Sequence, residues 1–166
     1  LIDRLERDPE LPFEQLSVLP PEFEAALLES SQGPVNTDGR ELMLPQAIAL
    51  QAARTPDAIA LRCGDLSLTY GELESRTNRL AHLLAEQGVA RGSRVGVHFG
   101  RSVELLIAQI AVMKSGAAYV PLDLNQQSER LASMIRDADI AVVLVDSHTM
   151  NLPVVGIDTV YLDDAA

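Results

Sequence analysis

The chain has 166 residues, of which 47% are apolar and 22% charged, with a formal net charge of −11 at pH 7. That length can bury one core of moderate size, and the acid excess argues against nucleic acid and anionic membrane as partners. No apolar run approaches membrane-spanning length and no secretory signal pattern is present, while a single cysteine, Cys63, excludes an internal disulfide and any multi-cysteine metal site. A reducing, cytoplasmic setting fits that cysteine usage.

The charge is unevenly spread. Residues 1–44 hold ten acids and three arginines, net −7; residues 45–166 hold fourteen acids and ten bases, net −4. The shift marks an expected boundary near residue 44. The chain starts at Leu1 and not at Met, as expected of a piece of something longer. Leu1 to Arg7 reads as the end of an amphipathic helix too short to stand alone in water. Asp8-Pro9 and Leu11-Pro12 break it, and Leu16, Val18 and Leu19 form an extended apolar patch before Pro20-Pro21. Glu22 to Glu29 predicts a short helix with Phe23, Ala26 and Leu27 on one side. Residues 30–39 are polar, with Gly33-Pro34 and Asp38-Gly39, and predict loop. Residues 8–44 carry too little apolar surface to fold alone and are expected to order only against a neighbour.

From Leu44 the pattern changes. Pro45 to Arg54 predicts a helix with Ile48, Ala49 and Ala52 inward, stopped by Thr55-Pro56-Asp57. Residues 58–62 and 66–69 predict a hairpin around Gly64-Asp65. Thr69 with Glu72 is a capping box opening a helix from Tyr70 to Gln87, with Leu73, Leu80, Leu83 and Leu84 as its buried stripe and Gly88 as its stop. Residues 94–99 alternate through Val95, Val97 and Phe99 and predict a strand. A helix follows to Ser115, with Val103, Leu106, Ile107, Ile110, Ala111 and Met113 on a broad apolar side, Lys114 in its last turn and Gly116 at its exit. Residues 117–120 predict a short strand, which makes a right-handed βαβ unit. A helix near Ser128 to Asp137 turns Leu131, Met134 and Ile135 inward. Ile140 to Val145 reads as a strand buried on both faces, and Thr159 to Leu162 as a further short strand. The fold class is α/β: a partial parallel sheet with flanking helices, preceded by an irregular linker.

Few residues look chemical. His82, His98 and His148 show no ligand spacing and read as structural or surface residues; Cys63, without a basic cluster, reads as an inert thiol. Gly96, Gly100 and Gly116 do not form a dinucleotide or phosphate-binding glycine loop. Arg101 and Ser102 at a helix start could meet an anion, but read first as a solvated cap. Asp123 follows a strand end, where α/β folds place ligands, yet a lone carboxylate there reads first as a loop cap. On the residues alone this is an α/β piece with no complete active site.

Three stretches carry a resemblance. Leu68-Thr-Tyr-Gly-Glu-Leu73, continued by Asn78-Arg-Leu-Ala81, is similar to the first core motif of amino-acid adenylation domains of nonribosomal peptide synthetases, in the adenylate-forming superfamily. Met113-Lys-Ser-Gly-Ala-Ala-Tyr-Val-Pro-Leu-Asp123 resembles the second. Gln51 to Asp57 and Arg101 to Glu104 also look like family equivalents. The likeness covers roughly residues 45–166, the truncated N-terminal part of such a domain. Residues 1–9 resemble the C-terminal end of a condensation domain and residues 10–44 the condensation–adenylation linker, although the linker's usual Trp-Asn pair is missing where Ser30-Ser31 stands. After Asp123 the family's Pro-x-Tyr-Pro-x-x-Arg is replaced by Leu124 to Arg130, in which only Arg130 survives.

The resemblance implies a reaction. An amino acid and ATP give an aminoacyl-adenylate and pyrophosphate, and the aminoacyl group passes to a carrier-protein phosphopantetheine thiol. ATP, magnesium and that thiol are implied for the full module and none for this piece. The partners implied are the neighbouring condensation domain, the rest of the adenylation domain and the carrier protein. The family's phosphate loop, ribose acid, magnesium ligand and mobile lysine all lie downstream. No catalytic, cofactor-binding or metal-binding residue is therefore expected here, and the isolated chain is expected to be inactive. The alternatives are a naturally truncated adenylation domain serving as a non-catalytic docking module, and an acyl-CoA-ligase relative, against which the condensation-like tail counts.

Overall fold

The computed structural model describes residues 19–33, 42–146 and 156–162. The readings made for Leu1 to Arg7, for residues 8–18, for most of the 30–39 loop and for His148 lie outside these. The chain divides into two compact units, Leu1–Arg40 and Glu41–Ala166. In the first, α1 (Pro21–Ser31) starts at Pro20–Pro21, where a missing N–H costs nothing, and leaves Phe23, Leu27 and Leu28 half or more exposed.

The second unit opens with α2 (Leu44–Arg54), β1 (Ile59–Cys63), β2 (Leu66–Thr69) and α3 (Tyr70–Glu86). β1 and β2 form an antiparallel hairpin, Cys63 opposite Leu66, around a two-residue turn in which Gly64 takes a left-handed conformation. The remaining elements are β3 (Arg94–His98), α4 (Val103–Lys114), β4 (Ala118–Pro121), α5 (Ser128–Asp137), β5 (Val142–Asp146) and β6 (Asp158–Leu162). Their four strands form one parallel sheet in the order β4-β3-β5-β6.

Side-chain alternation along β3 and β5 divides the core into two layers. Val95, Val97, Val142 and Leu144 pack with α3 and α4, joined by Leu84, Ile107, Ala108 and Val112. Val143 and Val145 face the other way, onto Leu131 and Ile135 of α5 and onto Leu122. The β3–β4 and β4–β5 crossovers therefore lie on opposite faces, which is a doubly wound arrangement. Val142 through Val145 are all buried, as a strand covered on both sides requires.

Gly96 on β3 lies tight against the second layer. A Cβ there would stand 2.9 Å from Leu122 Cδ1 and 3.1 Å from Val143 Cγ2. Nothing in the alternation of β3 distinguishes this glycine from a strand-weakening one; the reason for it is tertiary.

Element boundaries shift by one or two residues from expectation, as frayed ends do. Two helix faces differ in substance. Leu83 and Leu106 are exposed, at 39% and 42%, while Thr77, Ala108 and Val112 are fully buried in their place. Thr77 is admitted to the core because its hydroxyl donates to the Leu73 carbonyl at 2.8 Å within the helix.

Candidate functional site

Both motif-bearing stretches are helix-end devices. In the first, Thr69 is the N-cap of α3: its hydroxyl accepts from the Glu72 backbone N–H at 3.2 Å, and its own N–H donates to Glu72 Oε2 at 2.8 Å. Tyr70 and Gly71, the first two helical residues, donate their orphan N–H groups to the carbonyls of Ala58 and Pro56, both at 2.9 Å. Gly71 lies so close to Pro56 that a Cβ would stand 3.3 Å from its carbonyl oxygen. Leu68 and Leu73, on either side, are buried.

The hydrogen bonds from the Thr69 backbone and then its hydroxyl hold the Glu72 carboxyl below its ordinary value, with Arg76 adding a smaller pull. A depressed carboxylate contributes stability above its unfolded-state pKa and loses it as pH falls through the folded-state value. Replacing Thr69 with alanine should cost about 1 kcal/mol in urea denaturation at neutral pH. The Glu72→Gln variant should diverge from the parent above the ordinary carboxylate range and converge with it in acid. Parallel stability curves across that range would contradict this account.

In the second stretch α4 ends in a Schellman motif. Gly116, at φ +73°, donates to Met113 O and Ala117 donates to Val112 O. Just before it, Lys114 turns onto α3. Its ammonium lies 2.8 Å from Glu74 Oε2 and donates to Asn78 Oδ1 at 2.7 Å, while Asn78 Nδ2 donates to Glu74 Oε1 at 3.1 Å. Lys114 and Glu74 keep only 11% and 23% of their side-chain exposure, and among the described residues Glu74 Oε2 has no partner besides that ammonium. The two stretches are thus clamped to one another by a closed ring of three polar side chains. The place of Lys114 in the last turn of α4 signals only a match to the helix dipole; its contact with α3 is tertiary.

In a doubly wound sheet a ligand enters at the carboxyl ends of the strands, where the crossovers part, here between β3 and β5. The candidates gathered at that edge are already engaged. His98, buried, points Nδ1 at the Leu122 carbonyl at 3.0 Å, and since a carbonyl only accepts, that nitrogen carries a proton. Ser102 is the N-cap of α4, accepting from Leu105 N at 3.2 Å. Asp123 closes an Asx turn, accepting from the backbone and side-chain nitrogens of Asn125. Arg101 is exposed, and its carbonyl lies 3.9 Å from the Cys63 thiol, itself exposed. His82 is exposed on α3. Among the described residues no three His, Cys, Asp or Glu side chains converge as a metal site would need, and no helix is long and apolar enough to cross a membrane.

This fold and these motifs coincide with a known class. Residues 48–164 match the family described as AMP-binding enzyme, and the chain belongs to that family. Within it the region corresponds to the N-terminal subdomain of a nonribosomal peptide synthetase adenylation domain. It is 42% identical over 146 residues to malpinin synthetase of Mortierella alpina, covering 88% of this chain and 2% of that protein. The synthetase FmoA3 superposes over 72% of this chain and 13% of its own, at 32% identity and TM-score 0.69. The N-terminal subdomain of NpsA from Klebsiella oxytoca superposes over 71% of this chain and 31% of its own, at 25% identity and TM-score 0.63. The chain thus spans a small part of the relatives it matches.

Proposed function

We propose that this chain is the opening scaffold of an adenylation domain in a nonribosomal peptide synthetase module. In the whole domain the amino acid's carboxylate attacks the α-phosphorus of ATP, pyrophosphate leaves, and the aminoacyl-adenylate is then attacked by a carrier-protein phosphopantetheine thiol with release of AMP. The condensation-domain end at residues 1–9 and the linker at 10–44 belong to the same reading, as do a neighbouring condensation domain and a carrier protein as partners.

The observation that carries it is how the two motifs are used. Thr69 and Glu72 cap α3, Gly116 ends α4, and Lys114, Asn78 and Glu74 bind one helix to the other. Their functional groups are consumed in holding the scaffold. A magnesium–triphosphate complex needs free carboxylate oxygens and a run of backbone donors. Support for expecting neither in this piece comes from the sheet's carboxyl edge, where Asp123 Oδ1 and the Ser102 hydroxyl are already hydrogen-bonded within their own loops.

The test is amino-acid-dependent exchange of radiolabelled pyrophosphate into ATP, with the twenty standard amino acids supplied in pools. The 166-residue chain should show no exchange above a protein-free blank, while a polypeptide continuing through the rest of the domain should show exchange with a particular amino acid. Exchange by the short chain would overturn the scaffold reading. Its absence from the longer one would overturn the adenylation reading.

A further inference from the structure

We draw no further inference here: the strongest candidate, the apolar cavity between α3, α4 and β6 with Arg76 and Arg79 on its wall, carries none because nothing among the described residues shows what covers it.

Discussion

Replacing Lys114 with methionine should lower the stability of the Glu41–Ala166 unit by about 3 kcal/mol, read as a shift of the urea midpoint at constant slope. Methionine keeps the length of the aliphatic stem and removes only the charge. Glu74 is then left at 23% side-chain exposure with no cation, and Asn78 Oδ1 loses its donor. The loss comes mainly from stranding the carboxylate, so a second substitution should reverse much of it. Glu74→Gln in the Lys114→Met background keeps an oxygen for the Asn78 amide and removes the stranded charge. The double variant should regain at least half of the lost stability, and the cycle should give a coupling of about 1–3 kcal/mol. If Lys114→Met costs less than about 0.5 kcal/mol, the clamp between the two motifs is a surface pair of no consequence.

Gly96→Val should cost a similar amount, about 3 kcal/mol, for an unrelated reason. The first atom added would already stand 2.9 Å from Leu122 Cδ1 and 3.1 Å from Val143 Cγ2, and Ile140 Cγ2 is 3.4 Å away. Leu122 and Val143 are 2% and 1% exposed, so neither side chain can swing into solvent to make room. β3 is the central partner of both β4 and β5, so a displaced β3 disturbs two ladders at once. Gly96→Ala should cost less, about 1–2 kcal/mol. Shaving the obstacle should restore stability: Leu122→Ala should be less damaging in the Gly96→Val background than alone. Additive losses in that pair would refute the steric account.

Much of the fold was written locally. The Thr69–Glu72 box, the exit at Gly116, the turn at Gly64-Asp65 and the β-branched run ending at Val145 each state their structure within a few residues, because capping, left-handed turns and strand burial depend on near neighbours and side-chain period. The candidate site was legible in a different sense. His98, Ser102 and Asp123 read as structural groups and the structure finds each of them hydrogen-bonded in place. What was misjudged was exposure on helix faces. Leu83 and Leu106 have the right spacing for burial, but they lie beside the cavity next to β6 or face outward, and spacing cannot say which side of a helix finds a neighbour.

By itself the sequence determined that this is an α/β chain and, to within a residue or two, where its described helices and strands lie, since these follow from short-range periodicity and caps; two motifs carried the resemblance to its family. Only the tertiary structure decided the strand order β4-β3-β5-β6, the division of the core into two layers, the need for a glycine at position 96 and the clamp of Lys114 onto Glu74 and Asn78. Each of these joins residues distant along the chain. Which distant groups meet is settled by the best packing of whole elements, and that is not encoded at either residue alone.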